Sequence, residues 1–118
     1  MRASVIAAAV LALWLLLPAG ASSAEGLRFW NLTKNTIVEL DLAKPGSNAW
    51  GANQCLNDSD KSVDPDERLA LTGVTPGPYD VKLVDKAGRR CTLRNVELKG
   101  EGRYAFSIGE DDLKNCEK

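Results

Sequence analysis

Short runs in which apolar and polar residues alternate, separated by turn-forming residues, constrain this chain more than any other feature. Tyr79, Val81 and Leu83 alternate with Asp80 and Lys82, and Tyr104, Phe106 and Ile108 with Ala105 and Ser107. Thr36 to Leu42 places Val38, Leu40 and Leu42 on one face and Ile37, Glu39 and Asp41 on the other. A period of two belongs to strands, since successive side chains point to opposite sides of a pleated backbone. Leu27 to Leu32 is a short run rich in aromatic residues, and Thr33-Lys34-Asn35 is a turn that would join it to the next run as a hairpin. Arg68 to Thr72 is another strand, with Leu69 and Leu71 inward. Asp85 to Gly88 closes a second hairpin, where Gly88 supplies the positive backbone angle of a tight turn. Cys91 and Leu93 share a face, but Val96 and Leu98 fall on the other parity, which predicts a bulge near Asn95.

The N-terminus has a different character. Arg2 is followed by the unbroken apolar run Val5 to Leu17, then by Pro18, Gly20 and the small residues Ser22-Ser23-Ala24. This is the pattern of a secretory signal peptide, residues 1–24, cleaved after Ala24 or alternatively after Ala21. The apolar run falls short of the roughly 20 residues needed to cross a bilayer. Residues 25–118 then form a single domain. A domain of that size buries only about 60–65% of its unfolded surface, so an oxidising compartment, with its disulfides, would help it.

At the C-terminal end the period changes. Ser107 with Glu110 three residues on fits a capping box, and Glu110, Asp111 and Asp112 suit the positive end of a helix. Leu113 and Cys116 would share its inner face. The predicted fold is therefore all-β: a small antiparallel β-sandwich of about six or seven strands with a short C-terminal helix.

Two resemblances accompany this reading. The stretch Gly73-Val74-Thr75-Pro76-Gly77-Pro78-Tyr79-Asp80-Val81 resembles the corner of transthyretin-like and carboxypeptidase-regulatory sandwich domains. More widely, Phe29, Asn31, Thr36-Ile37-Val38-Glu39-Leu40, Trp50-Gly51, Tyr79-Asp80-Val81, Asp85, Gly88-Arg89, Cys91 and Asp112-Leu113 with Cys116 resemble, in order and spacing, a group of small exported proteobacterial proteins of unknown function. That resemblance implies a bacterial periplasmic or secreted protein and no particular activity.

Three cysteines allow one internal disulfide and leave one thiol. Cys91 begins a strand that returns beside Arg103 to Ile108, and the tail then folds back towards it. Cys91–Cys116 is accordingly the favoured pair, over Cys55–Cys91 and Cys55–Cys116. Cys55 is left as an intermolecular disulfide, hence a covalent dimer, as a reactive thiol, or as a small residue packed under its loop.

The segment Lys44 to Asp66 is long, polar and interrupted by Pro45-Gly46, Trp50-Gly51 and Asn57-Asp58. Loops of this length are usually functional or disordered. Trp50 and Asn53 are its candidate binding residues. Asp58, Asp60, Asp64 and Glu67 place carboxylates at near-alternate positions, as a calcium loop does, and are the candidate metal ligands. The EF-hand pattern itself fails, because Leu56 stands at its first position and Lys61 where it needs glycine. Against the calcium reading stands a solvated acidic loop, or a helical turn capped by Asp64 with Pro65 behind it.

The chain has no histidine, which removes serine–histidine and cysteine–histidine catalysis and histidine-ligated metal. A net charge of −1 lacks the basic excess of a nucleic-acid binder, and Arg89-Arg90, Arg94 and Lys99 read as a solvated face. Trp30 and Trp50 are either a sugar platform or anchors. Asn31 and Asn57 open glycosylation triplets that matter only in a eukaryotic secretory route. No spacing singles out a catalytic carboxylate pair. The expectation is an exported, non-enzymatic module with no cofactor other than calcium, binding a protein or cell-envelope component through the 44–66 loop. The alternatives are a calcium-binding loop protein and a small secreted inhibitor.

Overall fold

The computed structural model describes residues 26–117, so the expected signal segment lies outside the described residues. Seven strands form two sheets. β1 (Leu27–Leu32), β3 (Arg68–Leu71) and β6 (Phe106–Gly109) make a three-stranded sheet in the order β3-β1-β6. β2 (Ile37–Ala43), β4 (Gly77–Asp85), β5 (Arg90–Leu98) and β7 (Cys116–Glu117) make a four-stranded sheet in the order β2-β4-β5-β7. No helix among the described residues is long and apolar enough to cross a membrane.

The core lies between the sheets. Phe29, Leu69, Leu71, Phe106 and Ile108 come from the first, and Ile37, Leu40, Leu42, Val81, Leu83, Cys91 and Leu98 from the second. Phe29 and Phe106 meet across adjacent strands with ring centroids 4.9 Å apart. The all-β sandwich class is thus as the alternation requires, and the bulge near Asn95 is present. Tyr79 pairs with Val96 but Val81 with Leu93, so Arg94 and Asn95 together oppose Asp80, and Asn95 takes a φ of 55°.

Four expectations are corrected. The short C-terminal helix does not form. Ser107 cannot cap it, because it is still in β6, paired with Trp30. Only the single 3-10 turn Glu110–Asp112 follows, with Asp112 Oδ2 accepting from Gly109 N at 2.8 Å. Beyond it the chain is extended, because Cys116 is paired with Cys91 both in the sheet and by the disulfide. So short an isolated helix would be marginal in any event.

Second, β1 and β2 are not a hairpin. The Thr33–Asn35 turn carries the chain from one sheet to the other. It is built on Asn31, a fully buried side chain that donates to Asn35 O at 3.0 Å and Val63 O at 2.9 Å, and accepts from Thr33 N and Oγ1 at 2.9 and 2.7 Å. Every polar atom of that side chain is thereby matched, as burial demands.

Third, the sandwich is not wholly antiparallel, since β1 and β6 run parallel from Phe29↔Phe106 to Leu32↔Gly109. The inward set of β2 also differs. A bulge between Ile37 and Glu39 lets Ile37, Leu40 and Leu42 all face the core, leaving Val38 half-buried.

Candidate functional site

The long segment after β2 is folded, and its residues divide into three jobs. Its first limb turns back over the outer face of the β2/β4 pair. There Gly51 N donates to Leu42 O at 2.9 Å, Gly46 N donates to Asp80 Oδ2 at 2.8 Å, and the Lys82 ammonium sits 4.7 Å from the Trp50 ring centroid. This limb accounts for two buried acids that alternation places on that face, Asp41 and Asp80. Asp80 lies below the usual carboxylate range. Bonds from Gly46 N and Asn95 N do most of this, and Arg94 adds to it against the effect of burial. Asp41 goes the other way. Burial pushes its carboxyl up to about 7, a hydrogen bond and negative charge from Glu39 push further, and Lys82 opposes them.

The middle limb closes the open side of the sandwich. Asn53 Oδ1 accepts from Leu40 N and Cys55 N, both at 2.9 Å, while its amide donates to Val38 O at 3.2 Å. Leu40 N and Val38 O lie along the edge of β2 that no other strand of its sheet pairs with. One residue on, Gln54 does the same beyond β3, accepting from Thr72 N and donating to Thr72 O, both at 2.9 Å. Asn57 Nδ2 donates to Ala70 O at 2.8 Å. One 3-10 turn, Gln54–Asn57, therefore bridges an edge of each sheet. Unpaired edges invite pairing with other chains, and this turn covers two of them.

Cys55 sits inside that bridge. It is free, fully buried, and lies 3.6 Å from Ile37 O as a weak donor. Burial, with the charges of Asp41, Asp58 and Glu39 behind it, pushes the thiol up to about 12. Of the three readings the sequence allows, this is the packed residue. A covalent dimer or reactive thiol would require the bridge to open. The disulfide is Cys91–Cys116, with Cα atoms 4.0 Å apart.

The acidic stretch is used locally rather than gathered. Asp58 Oδ2 accepts from Asp60 N at 2.8 Å, Asp64 Oδ1 from Thr36 Oγ1 at 2.9 Å, and Glu67 Oε1 from Asp64 N at 2.8 Å. Among the described residues no group of three or more acidic, cysteine or histidine side chains could hold a metal. Asp58, Asp60, Asp64 and Glu67 are not brought together as one ligand set. Asp64 and Glu67 instead make the capped turn that leads into β3, and Val63 before them pairs with Ile37.

Trp50 and Trp30 share no platform, since they lie over different sheets. Trp30 is outward on β1, with its indole N–H on Asp66 Oδ1 at 3.0 Å. The far end of the sandwich is tied by charge. Arg89 makes a two-bond fork to Glu110, each bond 3.0 Å, and donates to Asp85 Oδ2 at 2.9 Å. Lys34 N also donates to Glu110, at 3.0 Å. The Arg89 fork, aided by Lys34 N, brings Glu110 down to about 2. Burial alone would raise Asp85, but bonds from Arg89 N, Asn35 and the Arg89 guanidinium bring it below its ordinary value.

What the middle limb leaves exposed is a groove of about 580 Å³ beside the closed edges. One wall is Ala49, Ala52 and Leu56, the other Val74, Thr75 and Tyr79. Leu56 is 58% exposed although the two residues before it in the turn, Gln54 and Cys55, are buried. Tyr79 is fixed by accepting from Thr75 N at 3.1 Å. Asn53 lines the groove, but its amide is committed to the β2 edge. Leu56 and Val74 are the residues the sequence reasoning missed, and the one signal for Leu56 was a lone large apolar residue within a polar stretch.

Comparison with known proteins adds no relative: no family model matches the chain, and no curated protein or solved structure shows significant similarity to it.

Proposed function

We infer that this chain is an exported, non-enzymatic binding module that receives an apolar side chain of a protein partner in the Leu56–Val74 groove. The observation that carries the reading is Leu56 itself. A rigid turn, tied to both sheets through Asn53, Gln54 and Asn57, presents a leucine outward into a concave surface. Exposed apolar side chains grouped in a hollow mark interaction sites more often than single ones do. The groove is preorganised, so little ordering entropy opposes binding.

Export is supported by the apolar N-terminal run with its small-residue flank and by the disulfide, which persists in oxidising compartments. The resemblance to small exported proteobacterial proteins points to a bacterial periplasmic or secreted location. The non-enzymatic reading is supported by the residues on hand. The chain has no histidine, its one free thiol is buried, and Asp80, Asp85 and Glu110 are held ionised by fixed donors. Asp41, with a carboxyl poised near neutrality, does not line the groove.

Deleting the loop would remove the edge caps as well as the groove, so point changes are the sound test. A photo-crosslinking residue at Leu56 or Val74, in cells exporting the protein, is expected to capture a protein that the same residue at Lys99 does not. Leu56→Asp should abolish capture from Val74. No capture from the groove, or equal capture from Lys99, overturns the reading.

A further inference from the structure

The outer face of the three-stranded sheet gathers positive charge that the groove does not use. Arg28 and Trp30 point outward from β1, between inward Phe29 and Asn31, and β3 sets Ala70 beside Arg28 and Arg68 beside Trp30. The turn before β6 then returns across this sheet, with Ala105 N donating to Arg28 O at 2.7 Å. Arg28, Arg68, Gly102 and Arg103 together line a hollow of about 380 Å³. All three arginines are exposed. Among the described residues, no carboxylate lies within ion-pair distance of them, since the ion pairs belong to Arg89 and Arg94.

A net charge of −1 makes this concentration a local arrangement rather than a consequence of basic composition. Like charges held around one hollow repel, and an anion placed among them relieves that repulsion. Arg68 is also positioned. Its guanidinium carbon lies 4.3 Å from the Trp30 ring centroid, and Trp30 is held in turn by Asp66 and by Tyr104, whose ring centroid is 5.1 Å away. A stacked guanidinium has lost much of its freedom while its N–H edge stays available. At Gly102, which also lines the hollow, φ is 97°, a conformation that favours glycine.

We propose that this hollow binds a phosphomonoester group. A carboxylate offers two oxygens, whereas a phosphomonoester offers three terminal oxygens and up to two charges, which suits three guanidinium forks. The hollow is open to solvent, so the group's substituent can extend from it. Two sources present this chemistry, a soluble sugar phosphate and a lipid headgroup. The site is separate from the Leu56 groove, so neither proposal depends on the other.

The test uses the exported, disulfide-intact protein at low ionic strength. Calorimetry and tryptophan emission follow titration with inorganic phosphate and glucose 6-phosphate, and sedimentation follows binding to phosphatidylcholine vesicles with and without phosphatidic acid. Saturable binding to at least one phosphomonoester probe is expected, weakening as salt is added. Arg68→Gln should weaken it about tenfold, as for loss of a charged hydrogen bond. Arg68→Lys, which keeps the charge but loses the fork, should also weaken it. Arg28→Gln and Arg103→Gln, at exposed positions, should weaken it as well. A control with Lys86 changed to Gln removes equal charge elsewhere and should bind as the wild type does. Binding of glucose 6-phosphate alone assigns a soluble ligand, and binding of phosphatidic acid vesicles alone assigns a membrane surface. No saturable binding to any probe, unaltered binding in the arginine variants, or equal loss in the control overturns the proposal.

Discussion

At the scale of single residues, two groups behave as their surroundings dictate and not as their residue types suggest. Cys55 is a thiol enclosed by a turn that also closes the sandwich, so it should resist thiol reagents until the protein unfolds. Native protein is expected to show no reaction with an aromatic disulfide reagent, full reaction in denaturant, and only monomer on a non-reducing gel. Cys55→Ala should destabilise by about 1–2 kcal/mol through the lost sulfur contacts. Asp41 offers a pH test whose sign follows from its environment. Its folded carboxyl is raised from 3.8 to about 7, so the native state holds a proton that the unfolded chain has already released. That contribution is present at low pH and is lost as pH rises from about 4 through about 7. Asp41→Asn should therefore raise the Tm at pH 8, leave it nearly unchanged at pH 4, and flatten the profile between them. Glu110, lowered from 4.5 to about 2, acts in the opposite sense, and its contribution fades only as pH falls through that range. The packed Cys55 was among the readings the sequence allowed, but the buried Asp41 was not legible there. Asp41 reads there as a solvent-facing strand residue, and only the limb folding back over it makes it buried.

At the scale of elements, alternation and turn residues located the strands and the β4/β5 hairpin but not the other partners, and the reason is physical. Period two says which side chains share a face, and it is silent on which edge each strand offers. β1 and β2 looked like a hairpin because a turn separates them, yet the buried amide of Asn31 builds that turn as a crossing between sheets. The phase slip before Val96, by contrast, was legible, because a bulge necessarily shifts parity. Its left-handed residue, Asn95, gives a clean check: Asn95→Val should destabilise by about 1–2 kcal/mol and Asn95→Gly should not, as read by urea unfolding. The polar segment after β2 was the hardest element to read. Asn53, Gln54 and Asn57 look like loop residues by type, and they are in fact edge caps, a use of side-chain amides that no periodicity announces. Asn53→Ala should leave the amides of Leu40 and Cys55 without their acceptor, lowering stability by about 2–3 kcal/mol. Hydrogen exchange at Leu40 should rise well before that of Leu83, which sits in the centre of its sheet.

At the scale of the whole molecule, the sandwich is closed differently on its two sides. The middle limb seals the β2 and β3 edges with side-chain amides. On the other side β7, only two residues long, adds itself to β5 through Arg90↔Glu117 and Cys91↔Cys116. A two-residue strand contributes too little pairing to hold a chain end, so the disulfide is what keeps it there. The same tail includes Glu110, which ties the Thr33–Asn35 crossing and the Asp85–Arg89 turn together through Lys34 N and Arg89. Removing the crosslink should therefore loosen that end of the sandwich as well as the terminus. The linked residues are 25 apart, and a loop of that length is worth about 3 kcal/mol in the chain-entropy model. A small domain has about 5 kcal/mol to lose, so the bond decides whether the molecule is comfortably folded. Replacing Cys91 and Cys116 by Ala and Ser should lower the Tm markedly and raise exchange at the Lys34 and Arg89 amides. The Asn53 region, anchored by its own hydrogen bonds, should keep its protection until global unfolding. Uniform loss of protection at both ends would show that the two sides do not open independently.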